Sequence, residues 1–167
     1  MPGVASLEAA RYYAHPRNAF WPIVLALLDG GEPPPPLPSY ERRVRRLLER
    51  GVALWDVLAE CERPGSLDTA IRRDSERAND VPALVARHPE LRLVAFNGQT
   101  AAKLYTRHVG AAVGTLRPDL TLVTLPSTSP AYASLSLDAK HVRWRDALGP
   151  VLATRVRGPS ESRSRRW

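Results

Sequence analysis

The sequence predicts an α/β fold: a three-layer α/β/α sandwich with a short parallel sheet between helices. Three observations predict it. Val52–Trp55, Leu91–Phe96 and Leu120–Leu125 are apolar runs of strand length, the pattern of strands covered on both faces. Helical patterns separate them, as parallel strands require of their crossovers. Asp56, Asn97-Gly98 and Pro126–Pro130 then follow the three runs, at the carboxyl ends where such sheets bind ligands. A chain of 167 residues is one domain, large enough to bury a core without staples.

The elements follow in order. Ser6–Tyr13 reads as a short helix with Ser6 near its cap. Asn18 is placed to cap the next helix, whose Phe20, Trp21, Val24, Leu25, Leu27 and Leu28 form an apolar surface at roughly helical spacing. Gly30-Gly31 stops it. Pro33–Pro36 is a polyproline spacer. Ser39 starts a basic amphipathic helix that runs to about Arg50 and ends at Gly51. Pro64-Gly65-Ser66 marks a loop. Asp80 opens a helix with Pro82 at a tolerated early position. Asn97-Gly98 turns the second strand into a helix over Gln99–His108. Asp138 caps a final helix to about Leu148. The domain is expected to span residues 1–157, followed by a disordered Arg- and Ser-rich tail, Gly158–Trp167.

Composition narrows the functional classes. The one cysteine, Cys61, excludes an internal disulfide and a cysteine-built zinc or iron–sulfur site. No metal and no cofactor is expected. No run of about 18 apolar residues suggests a membrane span, and no secretion signal is visible, so a cytoplasmic address is expected. The net charge of +7 favours an anionic partner. Residues Arg155–Trp167 hold five arginines against one glutamate, so four of the seven charges sit at that end. Only Lys103 and Lys140 are lysines among 24 basic residues; both fall within predicted helices, which argues against an amine nucleophile.

Two segments carry the chemistry. The first is Tyr12-Tyr13-Ala14-His15-Pro16-Arg17-Asn18-Ala19-Phe20-Trp21, which puts an amide, an imidazole and aromatics at a loop-to-helix junction. The second is Leu125-Pro126-Ser127-Thr128-Ser129-Pro130-Ala131, a rigid hydroxyl-rich loop at a strand end. Each residue also has a plain structural reading. Asn18 is a good helix cap, Phe20 and Trp21 suit a core, His15 is a lone histidine, and the second segment alone is a proline-rich turn.

Together the two segments resemble the two motifs of the uracil-DNA glycosylase superfamily, and in detail its sixth family, the hypoxanthine-DNA (deoxyinosine) glycosylases. Pro64-Gly65-Ser66 and Trp55-Asp56 add to the resemblance, which covers roughly Met1 to Leu148. It implies a monofunctional glycosylase that flips a deaminated base from DNA and hydrolyses its N-glycosidic bond, most readily hypoxanthine. By that resemblance Asn18 positions the attacking water, since an amide orients a water and stabilises charge although it is a poor base. Phe20 stacks on the flipped base, His15 donates to the base or a phosphate, and Asp56 accepts from the N1–H of hypoxanthine unless it is only a surface or capping carboxylate. Gly3 falls at the base-binding motif. Ser127, Thr128 and Ser129 bond phosphates through hydroxyls and backbone amides, beside the phosphate-side turn Asn97-Gly98. Met1-Pro2-Gly3 matches the end of the family's Gly-Ser-Met-Pro-Gly motif, so the strand before it is expected to be missing and the chain from Met1 poorly stable. The expected partner is DNA bearing deaminated bases, met by a monomer. Release of uracil by the same machinery and a non-catalytic DNA-binding remnant are the alternatives.

Overall fold

The computed structural model describes residues 2–30, 37–65 and 67–154. The expectations for Met1, for Gly31 and the Pro33–Pro36 run, for Ser66 and for the tail lie outside those residues. The described chain runs α1 (Val4–Glu8), α2 (Phe20–Asp29), α3 (Tyr40–Glu49), β1 (Leu58–Glu60), β2 (Arg77–Ala78), α4 (Val81–Arg87), β3 (Leu93–Asn97), α5 (Gln99–His108), α6 (Gly110–Leu116), β4 (Thr121–Leu125) and α7 (Leu137–Thr154), with short 3₁₀ turns at Asp68–Ala70 and Arg73–Ser75. No helix among the described residues is long and apolar enough to cross a membrane.

The layers follow from strand alternation. β3 and β4 pair in parallel, with Ala95 opposite Val123 and Asn97 opposite Leu125. Successive side chains of a strand face opposite sides. Val94 and Phe96 join a cluster with Val81, Val85, Tyr105, Val109 and Val113 from α4, α5 and α6 and the turns beside them. Val123 and Leu125 point the other way, into a cluster with Phe20, Trp21, Ile23, Val24, Leu28, Leu47 and Trp144 from α2, α3 and α7. One sheet thus separates two cores, and the mixed α/β, three-layer expectation is met.

Several local expectations are corrected. Val52–Trp55 is irregular; the nearby strand is β1, which pairs antiparallel with β2. The described parallel sheet therefore has two strands rather than three. In the Val52–Trp55 segment, Val52 and Leu54 are half-buried and pack on the first core without strand pairing, while Ala53 and Trp55 are exposed. Ser6 lies inside α1, where it is buried and accepts a hydrogen bond from the Ala14 amide at 3.2 Å, while Gly3 holds the cap position. α7 is capped by Ser136, whose Oγ accepts from the Ala139 amide at 3.2 Å; Asp138 sits in the first turn, and the helix continues to Thr154 through Pro150. The antiparallel pair and α6 have no counterpart in the sequence reading. The remaining caps are as expected: Ser39 accepts from the Arg42 amide, and Asp80 from the Ala83 amide.

Candidate active site

Asn97, Gly98, Ser127, Thr128 and Ser129 stand at the carboxyl ends of β3 and β4, and the Asn18 segment is bonded to them there through Thr128. Asn97 closes β3 and Leu125 closes β4. Gly98 follows with φ +101°, and its amide donates to the Leu125 carbonyl at 3.0 Å. A Cβ at Gly98 would stand 3.1 Å from the Ser127 Cβ, so the position needs both the conformational freedom and the bareness of glycine.

The loop after β4 is built around Thr128. Asn97 donates from Nδ2 to the Thr128 hydroxyl at 2.7 Å and accepts the Thr128 amide on Oδ1 at 2.9 Å. The Thr128 carbonyl accepts from the Ala19 amide at 3.0 Å. The two motif segments are therefore stitched together by Thr128, which is fully buried. α7 holds the rest of the loop: Trp144 donates its indole N–H to the Pro126 carbonyl at 3.0 Å, and the buried Lys140 ammonium donates to the Tyr132 carbonyl at 2.7 Å.

These bonds correct part of the expected phosphate contacts. Thr128 faces no solvent, and Asn97 spends both ends of its amide on Thr128. The amides of Thr128, Ser129 and Ala131 are already used within the loop, the last two by the hydroxyls of Ser127 and Ser129 at 3.2 Å each. A hydroxyl that accepts such a bond keeps its own O–H to donate. The Ser127 and Ser129 hydroxyls, on half-buried side chains, keep their own O–H to donate outward.

Asn18 precedes α2 and caps it from one residue outside the usual position. Its Oδ1 accepts from the Phe20 amide at 3.0 Å. Both readings of this residue are compatible, because a carbonyl oxygen has a second lone pair and the Asn18 Nδ2 is not engaged by any hydrogen bond among the described residues. His15 accepts from the Arg17 amide on Nδ1 at 3.1 Å. That bond assigns the proton of a neutral ring to Nε2, which is left to donate.

Phe20 is 3% exposed, wedged edge-on between Trp21 and Trp144. Its outer face is covered by Tyr13, stacked at 3.8 Å between centroids and 18° between planes. In this arrangement Phe20 belongs to the core and Tyr13 covers its face, so the expected stacking of a base on Phe20 requires Tyr13 to move aside. Tyr13 holds a left-handed φ of +54°, a backbone strain that tends to gather at working sites. Burial pushes its phenol above the ordinary value, against the opposing effect of the nearby Asn97 side chain. The sequence reading passed over Tyr13; its place beside His15-Pro16 was the available signal.

Asp56 is also not a free acceptor. Tyr12 bonds its hydroxyl to that carboxylate, and burial together with the neighbouring negative charge pushes the Tyr12 phenol up to about 12. The Tyr12 backbone is pinned as well: its amide donates to the Tyr40 hydroxyl and its carbonyl accepts from the Trp21 indole, each at 3.1 Å. Gly3 spends its carbonyl on the Ser6 and Leu7 amides at the start of α1, and Pro2 is held by the Arg63 guanidinium. Two surface clefts lie away from this constellation. One of about 500 Å³ is lined by Leu91, Arg92, Arg117 and Thr121 at the amino ends of the strands, and the other by α2 and α7 near Leu28 and Leu152.

No family model matches the chain. It is 33% identical over 103 residues to a hypoxanthine DNA glycosylase of Methanosarcina barkeri and 34% identical over 103 residues to one of Methanosarcina acetivorans. Each match takes 62% of this chain and 62% of the relative, so the chain spans less than two thirds of the length of the curated relatives it matches. Among solved structures it is similar to a candidate uracil DNA glycosylase from Methanosarcina acetivorans, with a TM-score of 0.69 and 28% identity over 91% of this chain and 86% of the other.

Proposed function

We propose that this chain, a hypoxanthine glycosylase-like protein of the uracil-DNA glycosylase superfamily, hydrolyses the N-glycosidic bond of hypoxanthine in DNA. The observation that carries the reading is Asn18. It stands in the segment that most resembles the family, and its amide keeps a donor and a lone pair free. In the proposed reaction the base is extruded from the stack, the bond between the base and C1′ breaks, and the electron pair leaves with the base. The water held by Asn18 adds its oxygen to C1′ and keeps one proton as the new hydroxyl, while its other proton passes, directly or through solvent, to the departing base. The amide orients that water and its dipole stabilises the positive charge growing on the sugar.

Tyr13 replaces Phe20 as the proposed stacking face, because its ring lies outermost of the aromatic pair. His15 Nε2 is the proposed donor to base or phosphate, and Ser127 and Ser129 the proposed phosphate contacts. DNA with deaminated bases is the proposed substrate of a monomeric, cytoplasmic enzyme. A second reading, uracil release, is favoured by the naming of the structural neighbour and needs only a change at the base edge. Single-turnover base release from otherwise identical inosine and uracil duplexes tests both. Hypoxanthine release that depends on Asn18 supports the proposal. Release of uracil alone selects the second reading, and duplex binding without release of either base overturns both.

A further inference from the structure

We infer that Asn97 is a positioning residue that acts through Thr128 to hold the Asn18 segment and the loop after β4 in one register. The inference rests on the glycosylase reading for its activity readout, and on the hydrogen-bond geometry for its existence.

Asn97 sits at the end of β3, on a rigid element, with its side chain on the same sheet face as Leu125. Both polar atoms of its amide are spent on one residue: Nδ2 on the Thr128 hydroxyl at 2.7 Å and Oδ1 on the Thr128 amide at 2.9 Å. A two-point bond fixes orientation as well as distance, which one bond does not. Thr128 in turn places its carbonyl 3.0 Å from the Ala19 amide, one residue from Asn18. The chain Asn97–Thr128–Ala19–Asn18 therefore links a sheet strand to the proposed water-holding amide through bonds that surround a fully buried residue. In such a dry setting hydrogen bonds are strong and an unpaired partner is costly, so the strut has one arrangement. Displacements of about 1 Å at a reacting centre cost on the order of a hundredfold in rate. Holding these groups in register is thus a catalytic contribution by residues that touch neither base nor phosphate.

The test compares wild type with Thr128→Val, Thr128→Ser, Asn97→Ala, and Asn18→Ala alone and combined with Asn97→Ala. Single-turnover base release, duplex affinity, thermal melting and hydrogen exchange of the Ala19 amide are measured. Thr128→Val and Asn97→Ala are expected to slow base release at least tenfold, with duplex affinity within threefold of wild type. Thr128→Ser, which keeps the hydroxyl, restores most of the rate. Asn97→Ala adds little to the loss already caused by Asn18→Ala. Exchange at Ala19 rises at least tenfold in Asn97→Ala. Wild-type exchange at Ala19 in Asn97→Ala, losses of affinity that match the losses of rate, or multiplying effects of the Asn97 and Asn18 changes would overturn the inference. Raised exchange combined with a wild type that releases no base supports the strut and overturns the glycosylase reading. Unchanged exchange in an active enzyme does the reverse.

Discussion

At the scale of single residues, neighbouring positions in one motif do different work. Asn18 has a structural bond through one lone pair and keeps its amide donor free. Asn18→Ala is expected to slow base release at least about 100-fold, the effect of losing a preorganised polar group at the reacting centre. The lost cap costs about 1 kcal/mol of stability, which a melting curve and a rate measurement separate. Phe20 and Tyr13 are stacked, Phe20 within the core and Tyr13 over it. Phe20→Ala opens a hole beneath three aromatic rings and is expected to cost about 3–5 kcal/mol. Tyr13→Ala leaves that core nearly closed and should reduce base release far more than stability. A variant pair with the opposite pattern, Phe20→Ala stable and slow, would restore Phe20 as the stacking residue.

At the scale of elements, two junctions set how the sheet presents the site. The β3–α5 junction depends on Gly98, whose φ of +101° strains any side chain and whose Cβ position would press on Ser127 at 3.1 Å. Gly98→Ala is expected to cost about 1–3 kcal/mol through backbone strain, read by urea unfolding, and to lower base release by moving Ser127. The far end of α5 is tied to β2 by Glu76. Arg107 reaches both carboxylate oxygens at 2.8 and 2.7 Å, and His108 Nε2 lies 2.6 Å from one of them. Burial alone would raise the Glu76 pKa, but the Arg107 and His108 hydrogen bonds outweigh it and hold it below the ordinary 4.5. A depressed carboxylate stabilises fully above its unfolded value and loses that contribution as pH falls through the native value. Glu76→Gln is expected to cost about 3 kcal/mol near neutral pH, toward the low end for a broken buried pair because Arg107 and His108 keep contact with water. It should also flatten the loss of stability below about pH 4.5. Parallel acid-unfolding slopes in the two proteins would remove this assignment.

At the scale of the whole molecule, the sheet divides the protein into two cores and leaves the site at one end of it. The first core carries Phe20 and Leu125 and so supports both motif segments; the second anchors the Glu76 tie. The net charge of +7 is unevenly placed, since residues 155–167 hold five arginines and one glutamate. If those arginines meet phosphates, duplex affinity falls linearly with salt on logarithmic axes, and removing residues 155–167 flattens the slope by about 3 to 4. The single-turnover rate at saturating enzyme should stay within twofold. An unchanged slope would mean that the phosphate contacts all lie in the preceding domain.

By itself the sequence determined what depends on local chemistry and periodicity. α5 was legible because its turn residues and helical pattern lie within one short segment, and so were the Ser39 and Asp80 caps and the placing of Asn97-Gly98 and Pro126–Pro130 at strand ends. The two motif segments were legible for the same reason, as was their joint resemblance. What only the tertiary structure decided depends on distant partners. Val52–Trp55 has the composition of a buried strand but no pairing neighbour among the described residues, so only Val52 and Leu54 pack on the core and Ala53 and Trp55 stay exposed. Phe20 and Tyr13 are both aromatic residues in one motif; only packing against Trp21 and Trp144 puts one beneath the other. Thr128 and Asn97 have side chains suited to phosphate, and each is turned inward by the other, across 31 residues of chain. A polar side chain advertises a hydrogen bond in sequence, but its partner, and hence its function, is set by what folding brings within 3 Å.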